Sequence, residues 1–304
     1  MIDAAPIIEG ADPVPYSGGF AAVAERRPRA GDDAAAGLLR STGRFLWPVQ
    51  SPQAAVVATC TGAPLFVAPD SVPPQNGLYE TGPIRPAVTV TTTVACSLMS
   101  HLDESKWEQA ARAQHARVFP RKLGQLVTDP NMVHTDQDGN VSQSLTGSAT
   151  RNVANDFGAV TSTGFDGTSE ALLKLGVYVR TVAARSDLGV FWFPAGLSNM
   201  AVKHLNMVAG GLPTVGVDRV PLIDELAYSP LAIGAGAPAG TFRVAWTPQP
   251  SLRLGPVTVT RPDPLVATND AQLTVSQAAI WDWPEVAPGV DVAAIDAPPL
   301  GTWT

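Results

Sequence analysis

Valine and threonine alternate through 87–95 (AVTVTTTVA), a period of two in β-branched residues that predicts a strand. Upstream, Ala54–Thr59 and Leu65–Ala68 are short apolar runs, the second opening just after Pro64, and both read as strands. Between these and the long run, Pro69 to Gly82 carries Pro73-Pro74 and Asn76-Gly77, which are turn signals. Residues 56–95 therefore predict a long two-stranded excursion. Such a hairpin has no second layer of its own against which to bury a face, so it needs a partner.

The period then changes. Asp103 is placed to cap a helix over 103–119, with Glu104 in its first turn, and Trp107, Ala110, Ala111, Gln114 and Val118 recur on one face. Pro120 is expected to kink or break this helix, leaving Arg117, Arg121 and Lys122 at its end, where cations suit the helix dipole. Residues 128–167 are polar and glycine-rich and predict a loop or loose hairpin. Thr168 is expected to cap a second helix over Ser169–Arg185, GVFWFP at 189–194 a short apolar strand, and 194–208 a third helix. Thr214–Ala227 has strand and turn character, Gly234–Gly240 reads as a loop tip, and Thr241–Thr247, Ser251–Thr260 and Gln272–Asp282 read as strands. No βαβ series recurs, which argues against a Rossmann or TIM layout and for an α+β fold.

The front of the chain is different. Pro6, Pro13, Pro15 and Pro28 break any long helix, so residues 1–55 predict an extended arm with one short helix near Asp33–Arg40. The cluster Arg26-Arg27-Pro28-Arg29 adjoins Asp32-Asp33 and fits either a solvated arm or contact with nucleic acid.

Composition sharpens this picture. The 304 residues are enough for one large domain or two moderate ones with a real core. With 45% apolar residues, the 28 prolines and 27 glycines indicate turns and extended segments rather than disorder. Charged residues are 15% of the chain, against about 25% in an ordinary soluble domain, so much of the outside is expected to be covered. No apolar run reaches the ~18 residues of a membrane span, which leaves other protein as the cover. A net charge of -7 argues against tight, general binding of nucleic acid. The N-terminus lacks the basic start and apolar core of a secretory signal. Cys60 and Cys96 show no metal spacing and read as two buried thiols.

The candidate chemistry is thin. Asp136, Asp138, Gly139 and Asn140 resemble the start of a calcium loop, but Gly147 stands where the bidentate Glu belongs, so a polar turn is expected. Gly234, Gly236 and Gly240 miss the spacing of a dinucleotide fingerprint. His101, His115, His134 and His204 show no metal-ligand spacing, and His115, among alanines on a helix, reads as a surface or interface residue. Trp246, Trp281 and Trp283 suit core or interface packing better than a ligand site. No G-x-S-x-G, Walker A or H-E-x-x-H pattern is present. No catalytic residue, metal or cofactor is therefore assigned.

The order of these segments resembles the HK97-like fold of tailed-phage major capsid proteins and of encapsulins. TVTTTVACSLMSHLDESKWEQAARAQHARVF looks like the family's passage from its hairpin, the E-loop, into its spine helix. LRLGPVTVTRPDPLVATNDAQLTVSQAAIWDW looks like the strands that return to the peripheral P-domain, with Asn269-Asp270 at the bend. On that resemblance, 1–54 is the N-terminal arm and 55–97 the E-loop. Residues 98–198 hold the spine helix, over Asp103–Val127, and the first part of the P-domain. Residues 199–245 form the central A-domain, and 246–304 the returning strands and C-terminal tail.

The resemblance implies a structural subunit that is not an enzyme. It would self-assemble into pentamers and hexamers of an icosahedral shell enclosing double-stranded DNA, assembled in a host cytoplasm and carried in the virion. Leu65, Phe66, Leu78 and Tyr79 would touch neighbouring copies, and Gly234, Gly236 and Gly240 would lie near the capsomer axis. Arg26, Arg27 and Arg29 would face packaged DNA through weak, non-specific contacts. Separate scaffolding, portal and decoration proteins are the expected partners, since the arm is too short for a fused scaffold of the prototype's kind. The prototype's isopeptide crosslink starts from an E-loop lysine; here Lys106 is the first lysine, so no such crosslink is expected. The alternatives are an encapsulin-type shell around an enzyme cargo or, from another class, an α+β hydrolase with a triad assembled in space.

Overall fold

The computed structural model describes residues 20, 25–26, 42–43, 45–48, 79–97, 104–128, 132–183, 189–193, 205–206, 214–215, 220–223, 240–260 and 270–298. Sixteen strands occur among them. The first six are β1 (Glu25–Arg26), β2 (Thr42–Gly43), β3 (Leu46–Pro48), β4 (Tyr79–Thr81), β5 (Arg85–Pro86) and β6 (Val88–Ser97). Next come β7 (Thr150–Asn152), β8 (Gly189–Trp192), β9 (Leu205–Asn206), β10 (Thr214–Val215) and β11 (Val220–Ile223). The last are β12 (Phe242–Pro248), β13 (Ser251–Leu254), β14 (Thr258–Thr260), β15 (Asp270–Asp282) and β16 (Val292–Ala297). The helices are α1 (Glu104–Thr128), α2 (Ala154–Phe157) and α3 (Gly164–Thr181).

Two sheets organise the body. In the first, the long β15 is central, with β6 antiparallel along one side and β13 and β14 along the other. The second runs β7-β16-β12-β8-β11-β10-β9. Every residue of β12 is buried, as a strand covered on both faces must be. On one face α3 packs Leu175 and Tyr178 against Phe191, Val244 and Ile295. Towards the first sheet and α1, Trp192 and Ala245 join Trp281, Leu252 and Leu123 in a common core. Two of the indoles in this core are matched: Trp192 Nε1 donates to Thr247 Oγ1 (2.9 Å) and Trp281 Nε1 to the Gln143 carbonyl (2.6 Å).

Several expectations need correction. α1 runs through Pro120 to Thr128, so its basic residues do not crowd its last turn. The proline strips a hydrogen bond from the Ala116 carbonyl, but Ala116 lies on the exposed face, where water can take its place. The buried stripe is Ala111, His115, Phe119, Leu123 and Val127, at i,i+4 steps, while Ala110 and Gln114 are exposed. The second helix starts at Gly164, earlier than expected, and buries Thr168 inside it, where the hydroxyl donates to the Gly164 carbonyl. Within the expected third helix, Leu205–Asn206 is a strand; 194–204 and 207–208 lie outside the described residues. The expected strand Ser251–Thr260 is two, β13 and β14.

The calcium-like run is a polar turn, as expected. Asp136 Oδ1 accepts from the Asp138 and Asn140 backbone N–H groups and closes it. Those bonds, with the Asn140 side chain foremost, hold the Asp136 carboxyl below its usual range. Farther along, Glu170 accepts from Ser162 N and pairs with Lys174, which pins the segment before α3 and drops its pKa to about 2.

Candidate functional site

Short strands on either side of residues 49–78 pair with one another to form a base. β3 pairs antiparallel with β4, β2 with β5, and between the two ladders the Gly82 N–H donates to the Phe45 carbonyl (2.9 Å). Glycine suits Gly43 because a Cβ there would lie 2.9 Å from Ile280 Cδ1. Phe45 packs on Ile280 and Ala278, with the Arg253 guanidinium 5.9 Å from its ring centroid. These contacts seat the base on the face of β15 away from α1.

Arg85 locks this seat. Its Nε donates to Asp282 Oδ1 (3.1 Å) and its Nη1 to the Val141 carbonyl (3.3 Å). Asp282 is fully buried at the end of β15. One guanidinium therefore ties the returning strand, the end of the central strand and the 134–142 turn together. After Arg85, β6 pairs with β15 over ten consecutive residues, Val88↔Ala279 to Ser97↔Asp270, without a bulge. Its inward side chains Val88 and Val90 meet Phe119 and Leu123 of α1 in one core. The strand leaving the base and the long helix thus form a single rigid corner.

The arm is tied to this body at three points. Phe20 is fully buried, 6.2 Å from the Trp192 ring centroid and 6.2 Å edge-on from Trp281. β1 adds in parallel to β13, and Phe45 is the third anchor. None of these was singled out from the sequence as an anchor, Arg26 of β1 having been read only as an arm residue facing DNA, nor were Arg85 and Asp282. An isolated phenylalanine after Gly18-Gly19, and an aspartate between two tryptophans, are the signals that point to them.

The predicted contact residues are placed in part. Tyr79 opens β4 opposite Pro48, whereas Leu65, Phe66 and Leu78 lie outside the described residues. Gly240 adopts φ +83° in the turn into β12; Gly234 and Gly236 lie outside. Arg26 is in β1 opposite Leu252, and Arg27 and Arg29 lie outside, as do Asp103, the strands at 54–59 and 65–68, and the helix at 33–40. Among the described residues no group of three or more His, Cys, Asp or Glu could hold a metal ion. No described helix is long and apolar enough to cross a membrane.

No family description and no curated protein matches the sequence. Solved structures do match, over nearly its whole length. The capsid of an empty GTA particle aligns at TM-score 0.53 and 14% identity, covering 98% of this chain and 95% of that one. The holo-SrpI encapsulin from Synechococcus elongatus PCC 7942 aligns at TM-score 0.52 and 10% identity, covering 99% and 95%. A chain from Mycobacterium phage Bobi aligns at TM-score 0.50 and 14% identity, covering 99% and 96%. The chain has the HK97-like fold. At these identities the likeness lies in the path of the backbone.

Proposed function

We propose that many copies of this chain assemble into a closed icosahedral shell, a phage-type major capsid. The observation that carries this reading is the end-to-end match to solved structures described as a capsid and an encapsulin, with no large segment left over on either side. The hairpin base supports it. On this reading the base held by Phe45 and Arg85 roots a two-stranded element for which a neighbouring copy supplies the missing layer. Interfaces of this kind bury on the order of 2,000–5,000 Å². Leu65, Phe66, Leu78 and Tyr79 are the proposed contacts there, with Gly234, Gly236 and Gly240 near the axis of the pentamers and hexamers. The net charge of -7 suits a wall that encloses double-stranded DNA, touched weakly through Arg26, Arg27 and Arg29, without gripping it. On this reading the chain is structural and not an enzyme. It is assembled in a host cytoplasm with separate scaffolding, portal and decoration proteins and resides in the virion.

The purified protein is expected to elute in the void volume of a sizing column and to show shells of uniform diameter by electron microscopy. A monodisperse 31.7 kDa monomer at high concentration overturns the proposal. The encapsulin likeness favours one second reading, a shell around protein cargo; particles from the native source then carry a stoichiometric protein and no DNA. With Lys106 the first lysine, shells boiled in detergent are expected to run as a single monomer band, and a ladder of covalent oligomers refutes the absence of a hairpin crosslink.

A further inference from the structure

His115 sits in the buried stripe of α1, 2% exposed, facing the sheet. Its Nδ1 lies 3.0 Å from Thr92 Oγ1 on β6, and its ring centroid is 5.5 Å from that of Phe119. Its Nε2 is buried and has no hydrogen-bond partner among the described residues. A neutral imidazole tolerates this arrangement, because the Thr92 hydroxyl can donate or accept and one nitrogen is satisfied either way. An imidazolium does not. Both nitrogens then carry N–H, Thr92 can only accept, and a charged Nε2–H is left in an apolar wall with no acceptor.

Among the described residues the surroundings offer no compensating charge. On α1, Glu108 lies two turns away and is engaged by Arg112 at 2.9 Å; Arg112, Arg121 and Lys122 point outward, and Arg117 is half-buried. β6 has no titratable side chain between Val88 and Val94, and β15 none between Gln272 and Trp281. Burial alone holds the ring's pKa below its ordinary value of 6.5.

We propose that His115 is an acid-sensitive latch between α1 and β6: the neutral ring seats the helix on the sheet, and a second ring proton unseats it. This stands independently of shell formation. The sign follows from linkage. The unseated state takes up a proton as pH falls through 6.5, the seated state only at lower pH, so seating is complete above 6.5 and weakens below it. Within that window, opening becomes more frequent by up to about tenfold per pH unit.

Deuterium exchange at the His115 C2–H position, followed by mass spectrometry of the unaltered chain, tests this without a variant. A midpoint below 6.5 with exchange slower than at exposed His134 is expected; a midpoint at or above 6.5 overturns the latch. Amide exchange of peptides from 107–128 reads the consequence. After correction for intrinsic rates, it is expected to rise between pH 7.5 and 5.5 in the unaltered chain and stay flat in His115→Gln. An equal rise in both overturns the assignment to His115, and if His115→Gln does not fold, the C2–H midpoint alone decides.

Discussion

Gly189→Ala is expected to be among the most damaging single substitutions in this chain, costing about 3 kcal/mol, the upper end of what overpacking does. Gly189 opens β8 opposite Pro248 of β12. A Cβ built there would overlap the Trp246 indole and lie 2.5 Å from the Thr247 carbonyl. Trp246 is 2% exposed and packed in the core under α3, so its ring has no space to retreat into. The carbonyl belongs to a strand held by β16 along its other edge, so the backbone is held too. A lowered urea midpoint with unchanged slope is the expected readout. Gly176→Ala is the control: nothing lies within 4 Å of a Cβ there, and alanine in α3 is expected to stabilise by roughly 0.5–1 kcal/mol. Equal effects of the two would mean that lost backbone freedom, not the Trp246 contact, governs both.

The sequence made some elements plain and hid others, for physical reasons. β6 was legible because alternating valine and threonine suits only a strand with one face packed and one wet. β8 and β15 were legible from apolar and aromatic density. β16, by contrast, reads VAAIDA, and alanine favours helix; it is a strand because β12 and β7 flank it and bury five of its six residues. Pro120 does not end α1, and the carbonyl it deprives of a partner, that of Ala116, is on the exposed face where water can serve it. His115 misled because its neighbours Ala113, Gln114 and Ala116 do lie on the surface, whereas its own position falls on the buried i,i+4 stripe with Ala111 and Phe119. The strand at 87–95 was visible but was read as one arm of a two-stranded excursion, whereas its partner is β15 of the body sheet; the clasp formed by Arg85 was not visible at all. Arg85 and Asp282 are 197 residues apart, and pairing at that distance leaves no local trace.

Arg85→Ala is the second large effect, about 3 kcal/mol. Asp282 is 0% exposed, and removing the guanidinium leaves its carboxylate buried without that cation. Arg151→Ala provides the contrast. Its partner Asp156 forms an even shorter ion pair, 2.7 Å, but the arginine is 42% exposed, so little change in the urea midpoint is expected. Arg85→Lys should recover little, because one ammonium on a flexible stem cannot serve both Asp282 Oδ1 and the Val141 carbonyl from the angles a planar fork reaches. If the pair matters only as buried charge, Asp282→Asn combined with Arg85→Met restores stability. If Arg85 also sets the direction of the hairpin, the double variant recovers its urea midpoint while shells by electron microscopy remain fewer or irregular. That split between folding and assembly separates a residue that holds the chain together from one that aims its projecting element at a neighbour.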